Sequence, residues 1–271
     1  MKKIVLKNDG KIPIDDILCT SYQMRNFYLQ MRDGFFTDLD IMNYIQHFKA
    51  VKIMKKGFNV LDVCCGRSML LPLMRYYAKD INKYIGVDIV KNNIRINKDI
   101  RNNKTINPKT FYPFKTEIII SNAAEMSKKI KDKIHLCIYT SAIEHMHKNY
   151  GEQSIKECSK VMVKGAKLFL SCPNTPENQN GYKVRYKAHV YEWKLSELRE
   201  IINQNGFIIE KEIGLTGDMR KFKIALKNMP TYLQQFYQSI IDYLPNEFAK
   251  PILFINLPKQ ASEVLIIARK K

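Results

Sequence analysis

The chain of 271 residues contains no apolar run approaching the length of a membrane-spanning helix, which needs about 18 consecutive residues. No membrane span is therefore expected. It also lacks any C-x-x-C pair, and no histidine pair stands at zinc spacing. Six scattered cysteines (Cys19, Cys64, Cys65, Cys137, Cys158 and Cys172) exclude a disulfide scaffold or a zinc ribbon. They read as small buried hydrophobes in a reducing compartment. Acidic residues are scarce: 26 Asp+Glu against 45 Lys+Arg leave a formal net charge of +19. That excess suits phosphate-rich partners, nucleic acid included, through counterion release. Lysines spread along solvated helix faces account for it equally well. The opening "MKKIVLKNDGK" reaches Asp9 and Gly10 too early for a secretory apolar core, so a cytoplasmic location is expected. Repeats and low-complexity tracts are missing as well.

What is present is enough apolar material, 45% of residues, for a full core. Residues 1–56 read as helical, as in "DLDIMNYIQHFKAVKIM", where apolar positions recur every three to four residues. From Asn59 short apolar runs alternate with amphipathic stretches. The strands are "NVLDVC", "KYIGVDI", "EIIISNA", "HLCIYTS", "AKLFLSCP", "FIIEKEIG" and "SEVLIIARK"; helices include "SMLLPLMRYYAKD", "SIKECSKVMVK" and "LSELREIINQN". Such alternation predicts an α/β protein with a seven-stranded, mostly parallel, doubly wound sheet. A helical insertion at about 219–258 precedes the last strand and suggests an added layer near the sheet edge. Within it Tyr232, Phe236, Tyr237, Ile240, Ile241 and Leu244 form one apolar helix stripe, expected to cover the sheet.

The junction "VLDVCCGRS" holds one glycine, which excludes the G-x-G-x-x-G turn of a dinucleotide site. Ligands of open parallel sheets bind beyond the carboxyl ends of the strands. A turn of small residues (Cys64, Cys65, Gly66, Ser68) lets backbone approach a ligand closely, and Ser68 is placed to cap the next helix. Asp62 beside the turn would repel a pyrophosphate and attract an ammonium group. Asp88, 22 residues after Gly66, stands near the ~20-residue spacing at which an acid meets ribose hydroxyls. An ammonium, a close-fitting turn and a ribose together describe S-adenosylmethionine.

In order, "VLDVCCGRS", "IGVDIV", "IIISNAAEM", "CIYTSAIEHM" and "LFLSCPN" resemble the successive motifs of class I (Rossmann-like) S-adenosylmethionine-dependent methyltransferases over about residues 57–213, and "ASEVLIIARKK" is similar to the family's last strand. The resemblance implies a helical cap over 1–56 and a methyltransferase domain over 57–271. It places Asp62 near the methionine amino group, the Cys64–Ser68 backbone (Cys65 and Gly66 included) against the cofactor, and Asp88 on the ribose. Ile89 would lie against adenine, Asn122 and Ala123 would read its amino edge, and Tyr139 to Ser141 would line the floor under the sulfonium. Cys64 stands where the family most often has glycine.

For the acceptor, "SAIEHMH" supplies Glu144, His145 and His147, and "KAHVYEW" supplies His189, Glu192 and Trp193. A hydroxyl acceptor must shed a proton, and neutral histidine is the usual base near pH 7; Glu144, His145 and His189 are the catalytic candidates. His147 is expected to be a surface residue without chemistry. The same residues resemble, more weakly, small-RNA 3′-terminal 2′-O-methyltransferases, which hold a divalent metal with two Glu and two His. Here Ser141 takes the place of the fourth ligand, and no metal is expected. Ubiquinone-pathway and glycan O-methyltransferases also share the pattern. The expected reaction is transfer of a methyl group to O or N of a small-molecule or glycan acceptor. A nucleic-acid methyltransferase and a non-catalytic cofactor- or nucleic-acid-binding protein are the alternatives. No D-P-P-Y or N-P-P-Y signature of base amine methylation occurs.

Overall fold

The apolar alternation is realised as one sheet of seven strands: β1 (Asn59–Val63), β2 (Lys83–Asp88), β3 (Lys115–Ile120), β4 (Ile134–Thr140), β5 (Met162–Pro173), β6 (Phe207–Gly217) and β7 (Ala261–Lys270). The computed structural model describes residues 37–66, 68–89 and 112–271. Strand order is β3-β2-β1-β4-β5-β7-β6. The first five are parallel neighbours, and β7 runs antiparallel to both β5 and β6.

Side chains alternate across each strand, so the sheet feeds two cores. Leu61, Val63, Ile85, Val87, Cys137 and Leu168 face one side. There they meet α3 (Lys148–Val161) and α4 (Leu195–Gln204) through Ile155, Leu198 and Trp193. Val60, Tyr84, Leu136, Ile138 and Phe169 face the other, covered by α1 (Asp38–Lys52) and α2 (Leu70–Tyr77). Both faces are thus apolar, which is why the central strands read as continuous hydrophobic runs. α1 begins with a reciprocal cap between Thr37 and Asp40.

The last strand, β7, lies between β5 and β6. Several expectations change. The stretch "MVK" (162–164) belongs to β5 rather than to the preceding helix, which spans 148–161. Gly165, at φ +80°, sits where the β4–β5 register shifts. Ser68 does not cap α2: the helix starts at Leu70 after Met69, which makes no side-chain cap bond. The insertion forms α5 (Met219–Lys227), α6 (Thr231–Tyr243) and α7 (Asn246–Leu253). Tyr237, Ile240, Ile241 and Leu244 pack on the core as expected, but Tyr232 and Phe236 are exposed, because the apolar positions of α6 span more of its circumference than the core can cover. No helix among the described residues is long and apolar enough to cross a membrane. Most of the 1–56 segment lies outside the described residues.

Candidate active site

Among the described residues, the turns after β1 and β4 carry three non-glycine residues in the left-handed region, Cys64 (φ 55°) and Ser68 (φ 57°) after β1 and Ser141 (φ 47°) after β4, with Gly66 at φ 51° between the first two. Each costs an L-residue roughly 1–2 kcal/mol. Such strain concentrates where a backbone must take a particular course beside a ligand. Two bonds hold the β1 turn against β2: Cys65 N–H donates to the Val87 carbonyl at 3.0 Å, and Gly66 N–H donates to Asp88 Oδ2 at 2.8 Å.

Beyond these tips opens a cleft of about 730 Å³. Eight residues singled out in the sequence line it: Cys64, Gly66, Asp88 and Ile89 from the first two strand ends, and Asn122, Ala123, Ser141 and His145 from the next two. Ser121, Ala142, Met146, His147, Tyr150 and Val190 line it as well. His147 is exposed, as expected of a surface residue, and stands at the rim of the cleft. Asn122 Oδ1 already accepts from Ala124 N–H at 2.9 Å, and a carbonyl oxygen has a second lone pair to offer.

Asp62, Cys65, Ser68, Tyr139, Glu144 and His189 are not among the lining residues; the first four lie beneath the turn and strand ends. Asp62 is buried and accepts from the Tyr84 hydroxyl at 2.7 Å. Burial pushes its carboxyl up to about 7, opposed by the Tyr84 bond and assisted by the charge of Asp88. The Tyr139 hydroxyl lies 3.1 Å from Ser154 Oγ, inside the protein. Burial, with the nearby aspartates, also holds the Cys64 and Cys65 thiols above their ordinary range. Both are therefore neutral thiols near pH 7, poor nucleophiles and poor metal ligands.

At the β4 edge of the cleft the loop after β4 meets the loop that precedes α4. Val190 and Tyr191 N–H groups donate to the Glu144 carbonyl at 2.7 and 3.1 Å. This brings Glu144, His145 and His189 together, with ligand-capable atoms all within 4.8 Å of one another. The imidazole centroids are 5.1 Å apart. His145 Nδ1 lies 2.9 Å from the Ala188 carbonyl oxygen, and His189 Nδ1 lies 2.7 Å from Glu192 Oε1. In a neutral imidazole, an acceptor at Nδ1 puts the proton there and leaves Nε2 with its lone pair. Glu192 is buried but salt-bridged to Arg185 at 2.7 Å. Against the cost of burial, Arg185 and then His189 keep its carboxyl below the ordinary range. Among the described residues Glu144 has no such partner. Its Oε2 is buried without a hydrogen bond, and burial, with a smaller push from Glu192, raises its carboxyl to about 8. Trp193 is core, not site.

Residues 40–212 match the family model described as a methyltransferase domain. No curated protein matches the chain. Among solved structures, an S-adenosylmethionine-dependent methyltransferase from Archaeoglobus fulgidus is 17% identical with a TM-score of 0.53, covering 92% of this chain and 100% of that one. The small RNA methyltransferase HEN1 is 16% identical with a TM-score of 0.55, over 84% of this chain and 25% of that one. The cyclase SpnF is 14% identical with a TM-score of 0.54, over 83% of this chain and 79% of that one; one fold carries more than one chemistry. The match covers the sheet from β1 to the first part of β6 together with the cleft, and on that ground the chain belongs to the methyltransferase-domain family, as a Rossmann-like enzyme that uses S-adenosylmethionine.

Proposed function

We propose that the chain transfers the methyl group of S-adenosylmethionine to an oxygen or nitrogen of a small-molecule or glycan acceptor, with His145 and His189 at the reacting end. The cofactor supplies an electrophilic methyl on a sulfonium. The cleft suits it. Asp88 offers a carboxylate at the β2 tip, Ile89 and Ala123 offer apolar walls, and the Cys64–Gly66 turn brings backbone close. Asp62, beneath the turn, offers a charge for the amino group once an ammonium favours its ionised form.

The observation that carries the acceptor half is the pair of imidazoles whose Nδ1 atoms are engaged at 2.9 and 2.7 Å. Each Nε2 is thereby left to accept a proton from an acceptor hydroxyl. Glu144 sets the loop position of His145 and receives the backbone of Val190 and Tyr191. Much of the remaining rate comes from holding acceptor and sulfonium in line. The test is transfer of labelled methyl from S-adenosylmethionine into a fractionated extract. Label in a low-molecular-mass or glycan fraction is expected; label confined to RNA or DNA overturns the acceptor class.

A second reading takes a nucleic-acid hydroxyl as acceptor. It is favoured by the net charge of +19 and by the Glu144–His145–His189 cluster. Two imidazoles and one carboxylate are a set that divalent ions accept. Their Nδ1–H groups are held by a carbonyl and a carboxylate, as metal-binding histidines usually are. The residues fit, and the orphaned Glu144 Oε2 would gain a partner; a cation there would polarise an acceptor oxygen. HEN1, a small RNA methyltransferase by name, shares the fold. Binding of generic RNA that weakens steeply with salt, together with loss of methyl transfer in EDTA, supports this reading over the first.

A further inference from the structure

α1 sends one polar side chain through an otherwise apolar face. Met42, Gln46 and Ala50 follow one another at four-residue spacing and are all buried; Gln46 is 0% exposed. A leucine would fill this slot without asking for hydrogen bonds. The Gln46 amide instead makes three. Its Nε2 donates to Asn43 Oδ1 at 2.7 Å and to Ser141 Oγ at 3.4 Å, and its Oε1 accepts from Ser171 Oγ at 2.5 Å. Ser171 lies on β5 and its carbonyl also accepts from Ser141 N–H at 2.9 Å. Ser141 is thus held from two sides, by the backbone of β5 and by the amide of α1, at the strained φ of 47°. A non-glycine residue keeps such a conformation only when its surroundings over-determine it.

We propose that Gln46 is a positioning residue for the methionine end of the cofactor, acting through Ser141. Sheet order supports this placement. Asp88 and Asn122 follow β2 and β3 on one side of β1, whereas Ser141 follows β4 on the other. A nucleoside held by the acid at the β2 tip therefore directs its amino-acid tail toward Ser141. α1 is itself anchored at its far end, where Asp38 pairs with Lys250 of α7 at 2.9 Å. The cleft floor is braced by a helix that is not part of the strand–helix alternation.

The inference rests on the residue roles proposed above, and its test separates the two. Parent protein is titrated calorimetrically with S-adenosylmethionine and with 5′-methylthioadenosine, which has the nucleoside but no amino-acid tail. Failure of the parent to bind either sinks the cofactor roles themselves. Given parent binding, Gln46→Leu is expected to weaken S-adenosylmethionine about tenfold and leave methylthioadenosine within about twofold. Gln46→Met keeps the unbranched length but offers no hydrogen bond to Ser141; it gives the same split should the leucine variant not fold. In a Ser141→Gly background, Gln46→Leu should add nothing to the ratio of the two affinities. Equal losses for both ligands, or no loss for either, overturn the proposal.

Discussion

Asp88 Oδ2 accepts the Gly66 N–H at 2.8 Å, so the acid at the tip of β2 also fastens the turn at the tip of β1. One carboxylate thereby fastens the turn and borders the cleft, where the proposed function puts the ribose. Changing it has two consequences that different substitutions separate.

Asp88→Ala removes both. It is expected to abolish measurable S-adenosylmethionine binding and to lower stability by about 1–2 kcal/mol, the cost of an unmade buried hydrogen bond. Asp88→Asn keeps an acceptor for Gly66 and should retain most of the stability while still binding the cofactor at least about tenfold more weakly. Urea unfolding and calorimetry read the two effects. An asparagine variant with parental affinity would remove Asp88 from the ribose.

Asp62 carries a pH signature. Its carboxyl is raised by burial to about 7, so between about pH 4 and pH 7 the folded state binds more protons than the unfolded chain. Stability conferred by the protonated acid is present below pH 4 and declines as pH rises toward 7, by ~4 kcal/mol at most. Asp62→Asn should flatten this slope in urea unfolding across that window. An ammonium nearby would ionise the acid, so S-adenosylmethionine binding at pH 7 should release protons and methylthioadenosine binding should not. Calorimetric heats compared in phosphate and Tris detect this; identical buffer dependence for the two ligands would move the amino group away from Asp62.

For the histidines, His145→Ala and His189→Ala should each leave cofactor affinity within about twofold while slowing labelled-methyl transfer about 10²-fold or more. Loss of cofactor binding in either variant would make that residue part of the cofactor cradle. His189→Ala is compared with Glu192→Gln, which leaves the imidazole but weakens the 2.7 Å contact that orients it. A smaller loss, with a displaced pH profile, is expected there.

A cation at the cluster is checked directly. If the second reading holds, Mn²⁺ or Zn²⁺ titrated into metal-stripped protein binds with one site per chain, and Glu144→Gln weakens it by at least about tenfold. Binding that is indifferent to Glu144, His145 and His189 would leave the imidazoles as bases only.

Cys64 occupies a left-handed position at φ 55°. Cys64→Gly relieves that strain but adds freedom to the unfolded chain. The expected net change is a gain of up to about 1 kcal/mol with cofactor affinity preserved. A loss in urea unfolding would mean that the sulfur's contacts in the cleft wall outweigh the backbone strain.

The sequence by itself determined the strand–turn–helix units and the two acids at neighbouring strand ends. A period of two, a period near 3.6 and a turn of small residues are local properties that leave their mark within a few positions. The 22-residue step from Gly66 to Asp88 could likewise be counted along the chain, and it closes as a hydrogen bond. What only the tertiary structure decided is spread over long separations. Gln46 meets Ser141 and Ser171 across 95 and 125 residues, and His145 is oriented by Ala188 across 43. β7 enters between β5 and β6 rather than at an edge. Nothing local distinguishes a glutamine that braces an active site from one on a solvated helix face. The difference lies in the strands the helix is packed against, and that is settled by packing of the whole sheet rather than by any neighbour in sequence.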